Sequence, residues 1–144
     1  MTRTEPSVVA ALSRAHATLL EDLQTLGDAV RPGSTEEPAG VQSRLDATQR
    51  HLTEHFRFEE HNGYMETVRS REPRLEHALQ QLVEEHRQLA ASLDALLAQA
   101  RAATALDDTF RAAVRAWIEC VRQHEIREND LVQDAFTLDI GAED

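Results

Sequence analysis

From Phe110 to Ala135 the chain carries an unbroken core ladder of Phe110, Val114, Trp117, Val121, His124, Glu128, Leu131 and Ala135, at alternating steps of four and three residues. That spacing keeps one stripe of an α-helix turned towards its neighbours. Two of the rungs, His124 and Glu128, are ionisable. A buried imidazole and a buried carboxylate one turn apart are each costly unless something pairs with them. A chain that folds on this stripe must therefore supply a partner, and a metal ion serves both groups at once.

Three further stripes follow the same rule. The first runs Val9, Leu12, His16, Leu19, Leu23, Leu26, Val30, after Pro6 and Ser7, which suit a first helical turn. The loop-like stretch PGSTEEPAG separates it from Val41, Leu45, Thr48, Leu52, His55, Glu59, a second stripe that ends in His and Glu. Asn62-Gly63 weakens or ends that helix, and Arg71-Glu72-Pro73 marks the next start. The third stripe is Leu75, Leu79, Leu82, His86, Leu89, Leu93, Leu96, Ala100, and Leu106-Asp107-Asp108-Thr109 supplies a short connection and a cap for the fourth. These signals predict one domain over 1–144, with helices at about 7–30, 41–69, 74–101 and 108–136 and a short acidic tail, TLDIGAED, that packs only in part.

Ala, Leu, Glu and Arg dominate the 144 residues, and Gly and Pro together number nine, so the chain reads as all-α with no source of strands. Four long helices with short joints predict an up-down-up-down antiparallel four-helix bundle. Layer arithmetic agrees. His16 lies 14 residues before Val30 and His55 lies 14 after Val41, which puts both about 21 Å from their shared end at ~1.5 Å per residue. His86 and His124 stand 15 and 16 residues from Arg101 and Asp108, so all four helices bring ionisable rungs to one depth.

The net charge of −11, with basic residues interleaved among Glu, argues against nucleic acid and anionic membrane as partners. No apolar run has secretory or membrane-spanning length, and the single cysteine, Cys120, permits no internal disulfide. The expected compartment is therefore the cytoplasm.

His and Glu at i and i+4 point from one helical face, so the pairs His55/Glu59 and His124/Glu128, facing His16 and His86, would surround one cavity with four imidazoles and two carboxylates. Two carboxylates can bridge two cations, and a mixed nitrogen and oxygen set suits iron or manganese, with zinc next. His51, beside its stripe, is a candidate for a supporting position or a spare ligand. His61 and His77 project away from theirs, and Glu60, Glu84 and Glu85 read as solvent-facing charges. Tyr64 and Cys120, each about a turn from a proposed ligand, read as ordinary packing residues, with lining of the pocket as the alternative.

Four ordered motifs, AHATLL at 15–20, HFRFEE at 55–60, EHRQL at 85–89 and HEIRE at 124–128, resemble the hemerythrin-like, or HHE cation-binding, family over nearly the whole chain. The resemblance implies a non-haem di-iron centre with an oxo or hydroxo bridge, His16, His55, His86 and His124 as terminal ligands, and Glu59 and Glu128 as bridges. Oxygen-carrying hemerythrins have a second histidine one turn away on the third helix, where this chain has Leu82 and Ala90, and a last pair one residue more widely spaced. The four-step His-Glu pair is that of the broader group, whose members are linked to oxygen, nitric oxide or iron sensing and to peroxide chemistry. Ferritin-like di-iron proteins use Glu-x-x-His instead, which no histidine here satisfies. The expected function is a di-iron protein that binds, senses or reacts with oxygen, nitric oxide or peroxide. Enzyme-like reduction of peroxide or oxygen at the same centre, or iron sensing or storage, is the alternative.

Overall fold

A computed structural model describes the backbone of residues 4–61 and 64–143, and within it the side chains of all but residues 4–9, 12, 64 and 136–143. The described residues are mostly helical and contain no strand. The long helices are α1 (Thr4–Ala29), α2 (Pro38–His61), α4 (Glu76–Ala102) and α5 (Asp108–Glu143), with a short α3 (Tyr64–Arg71) and a 3₁₀ turn (Pro73–Leu75) between α2 and α4. α1 packs on α2, α2 on α4, α4 on α5 and α5 back on α1, which closes an up-down-up-down antiparallel bundle.

Local chemistry sets the joints. Ser34 donates its hydroxyl to the Ala29 carbonyl at 2.8 Å, and Gly33 takes a φ of 79°, so the chain turns just beyond α1. The Arg115 guanidinium crosses from α5 to the Val30 carbonyl at 2.6 Å and satisfies a second orphan of that helix end. α2 starts at Pro38, three residues before the expected position, because the fixed φ of proline already suits a first turn. The Asp107 carboxylate accepts the Phe110 N–H at 2.7 Å and caps α5.

Two expectations change. The single helix expected over 41–69 is divided into α2 and α3, with Asn62 and Gly63 at the division, outside the described residues. The acidic tail, expected to leave the helix at Phe136, continues α5 as backbone to Glu143: it holds no proline, and a lone glycine weakens a helix by only about 1 kcal/mol.

All rungs of the second, third and fourth stripes are buried, as are Leu19, Leu23, Leu26 and Val30 of the first. Val9 and Leu12 lie outside the described side chains. The apolar rungs fall into two clusters. A large one includes Leu23, Leu45, Leu93, Val114 and Trp117, and a smaller one Met65, Val68, Leu79, Leu131 and Ala135. The His and Glu rungs lie between them, so the bundle has a polar layer enclosed by hydrocarbon at both ends.

Candidate metal centre

His55, Glu59, His86, His124, Glu125 and Glu128 are all buried, each at most 3 % exposed. His16 reaches the same layer from α1, with about a third of its ring exposed at 33 %. Two triads of ligating atoms lie within 4.8 Å of one another, His86/His124/Glu128 and His55/Glu59/Glu128, and Glu128 belongs to both. His16, the remaining expected ligand, is outside these triads; its Nδ1 lies 2.9 Å from Glu125 Oε1.

The outer nitrogens of two histidines are held by carboxylates that sequence reading assigned to solvent. His86 Nδ1 donates to Glu60 at 2.7 Å and His124 Nδ1 donates to Glu85 at 2.6 Å. Glu85 also accepts from Arg127 at 2.8 Å. Burial alone would raise the Glu85 carboxyl, but the Arg127 and His124 hydrogen bonds hold it below its ordinary range, so it stays an acceptor. Glu60 and Glu85 thus position the two rings from the outer side of the layer, each with about 30 % of its side chain still exposed. Glu84, by contrast, is exposed and pairs with Arg87.

With the proton on Nδ1, Nε2 of each ring points inwards as a bare lone pair. His86 Nε2 stands 3.4 Å from Glu59 Oε1 and 3.6 Å from Glu128 Oε2, and His124 Nε2 stands 3.7 Å from Glu128 Oε2. Neither nitrogen has a hydrogen-bond partner, nor do both oxygens of Glu59 and one each of Glu125 and Glu128. Acceptors facing acceptors in a buried layer repel unless a proton or a cation lies between them. Burial first, and then contact with Glu128 and the charge of Glu125, pushes the Glu59 carboxyl well above its ordinary range.

Glu125 is a third buried carboxylate that the single-stripe reading passed over, although its motif was in view. It accepts from His55 Nε2 at 2.8 Å as well as from His16. Burial would raise it, but those two hydrogen bonds and the electrostatic influence of the neighbouring His55 and His124 rings bring it down to about 2. The signal was a parallel ladder at steps of seven, Ile118, Glu125 and Val132, all buried. Phe56 was also missed. It stacks on His86 with ring centroids 3.8 Å apart and meets His124 edge-on at 5.7 Å, forming an apolar floor.

The remaining candidates separate. His51 pairs with Asp22 of α1 and is not brought to the layer. His61 and His77 are exposed. Cys120 is exposed and lines a cavity of about 260 Å³ with Leu89, Trp117, His124 and Arg127, and the side chain of Tyr64 lies outside the described residues. A second cavity of about 170 Å³, between α1 and α5, reaches His16, Glu125 and Glu128 past Ser13, Asn129 and Gln133. No helix among the described residues is long and apolar enough to cross a membrane.

Searches of curated proteins and of solved structures return no match. The family model of the hemerythrin HHE cation binding domain matches residues 7–136, which takes in α2 and α4 whole, most of α1 and α5, and every buried His and Glu of the layer. Its description as cation binding fits a layer whose inward atoms lack a counter-charge, and the chain belongs to the hemerythrin HHE cation-binding domain family.

Proposed function

We propose that the layer holds two non-haem iron ions, with His16, His55, His86 and His124 as terminal ligands and Glu59 and Glu128 as bridges, and that this centre binds or reacts with small oxidants. The observation that carries the reading is the inward Nε2 of His86 and of His124, each bare, buried and 3.4 to 3.7 Å from carboxylate oxygens that also lack partners. Divalent ions would supply the missing charge, and a mixed imidazole and carboxylate set suits iron or manganese ahead of zinc. The bridging roles are supported by Glu128 belonging to both triads and by Glu59 lying within reach of both His55 and His86, at 3.6 and 3.4 Å.

Two ferrous ions, if bound there, would supply two electrons, enough with two protons to reduce one hydrogen peroxide to two waters. The protein's own contribution is to orient the imidazoles through Glu60, Glu85 and Glu125, to keep bulk water out with Phe56 and the Leu19, Leu52 and Leu82 rungs, and to admit only small molecules. Four histidines, two bridging carboxylates and a solvent-derived bridge account for about ten of the roughly twelve positions of two six-coordinate ions. That leaves room for an external ligand. Anaerobic protein loaded with ferrous iron and mixed with oxygen or peroxide in a stopped-flow instrument should develop a ferric absorption band that does not revert under vacuum. A band that disappears as oxygen is withdrawn would restore reversible carriage, repeated turnover of peroxide in the presence of an added electron donor such as ascorbate would assign enzyme-like reduction, and a spectrally inert loaded protein would leave iron sensing or storage.

The outer carboxylates give a separate expected result. Glu60→Ala and Glu85→Ala remove the groups that fix the tautomer of His86 and His124, and each should weaken ferrous ion binding by about 10- to 100-fold. Chelator competition reads this directly. Glu84→Ala, at an exposed position one residue from Glu85, should leave affinity unchanged, and a fall equal to that of Glu85→Ala would refute the positioning role.

A further inference from the structure

Glu125 is buried to the same degree as His55, Glu59, His86, His124 and Glu128, with a side chain 1 % exposed, yet the assignment above leaves it with no role beyond orientation. One oxygen, Oε1, serves both His16 Nδ1 at 2.9 Å and His55 Nε2 at 2.8 Å. The other, Oε2, has no hydrogen-bond partner and lies 3.8 Å from His124 Nε2. The same His55 Nε2 stands 3.6 Å from Glu59 Oε1 and 3.9 Å from Glu128 Oε1. Three carboxylates therefore converge on one imidazole nitrogen, and a single proton on that nitrogen can satisfy only one of them.

We propose that Glu125 is a third carboxylate ligand, terminal on the metal ion that His16 and His55 hold. The inference rests on the two-metal reading above. Its ground is that a cation at this end meets two imidazoles and three carboxylate groups, whereas the His86 and His124 end offers two imidazoles and the shared Glu59 and Glu128. Glu125 also lines the α1–α5 cavity together with His16 and Glu128, so it stands in the direction from which solvent would approach the His16/His55 ion. With Glu125 bound, that ion has about six ligands once a solvent-derived bridge is included, and the His86/His124 ion has about five. The vacancy then belongs to the His86/His124 ion. The cavity lined by Leu89, Trp117, Cys120 and His124 lies on that side.

The test compares wild type with Glu125→Gln in anaerobic titrations with ferrous ion. The amide retains a carbonyl oxygen that can accept from both histidines but is a much weaker metal ligand than a carboxylate, so ligation and simple orientation predict different results. Wild type should take up about two ions per chain, and Glu125→Gln should retain one and bind the second at least about 100-fold more weakly. Two ions held by Glu125→Gln with wild-type affinity would overturn the ligand role while leaving the two-metal reading intact. Fewer than two ions in wild type would overturn that reading and this inference with it. If Glu125→Gln does not fold, iron-loaded crystals of wild type decide: a Glu125 oxygen about 2.0–2.2 Å from the iron held by His16 and His55 supports the proposal, and a separation beyond about 3 Å, or ligation of the His86/His124 iron instead, overturns it. Azide soaked into the same crystals should sit on the ion held by His86 and His124, and azide on the His16/His55 ion would overturn the placement of the vacancy.

Discussion

Chelation of the loaded protein is expected to lower its melting temperature by about 10 °C or more, and restoring ferrous iron should recover the loss. A ligand present at a thousand times its dissociation constant stabilises the folded state by about 4 kcal/mol, and in a domain of this size each kcal/mol shifts melting by about 2–4 °C. The physical origin is the layer itself. Without a cation, Glu59, Glu125 and Glu128 remain buried together with several unpartnered oxygens. The raised Glu59 carboxyl gives the effect a pH dependence of definite sign. The folded apo protein holds a proton there that the unfolded chain releases, so through this group apo stability falls as pH rises above the ordinary carboxylate range. The depressed Glu125 acts oppositely but at lower pH, losing its contribution as pH falls towards about 2. The difference between loaded and stripped protein should therefore widen from pH 5 to pH 7. Scanning calorimetry at the two pH values checks both parts, and melting unaffected by chelation would refute a metal-stabilised layer.

The bundle was readable because its helices bury one stripe each and the stripes are nearly perfect: every described rung of the second to fourth stripes is buried where the 3.5-residue spacing placed it. The common depth of the four histidines was readable for the same reason, since helix rise is fixed and the joints are short. The groups missed are those whose position depends on neighbouring helices. Glu60 and Glu85 lie at the edges of their stripes, where one helix alone suggests solvent, and only the approach of His86 and His124 from neighbouring helices gives their partly exposed carboxylates a partner. Glu125 and Phe56 each follow a predicted ligand by one residue and lie on a second buried face, which a single ladder does not reveal. Even the end of the last helix depended on what was absent: without proline, nothing in TLDIGAED stops α5.

Alanine substitution should divide the seven histidines by position in the bundle instead of by position in sequence. His55→Ala, His86→Ala and His124→Ala each remove an inward nitrogen from a ring at most 3 % exposed, and each should reduce iron affinity by more than the 10- to 100-fold expected for an outer carboxylate. His16→Ala should cost less, because its ring is 33 % exposed and borders the α1–α5 cavity, where water can take the vacated position. His61→Ala and His77→Ala, at exposed positions, should leave iron content at the wild-type value. His51→Ala is the discriminating control. Its ring is bound to Asp22 and sits one helical turn from His55, so its loss should lower stability by up to about 1 kcal/mol with no change in iron per chain. Iron per chain measured after anaerobic loading, with helix content checked by circular dichroism, separates the three groups. Iron loss in His77→Ala equal to that in His86→Ala would mean that α4 turns a different face to the core, and full retention in His16→Ala would remove α1 from the centre and leave its metal held by three helices.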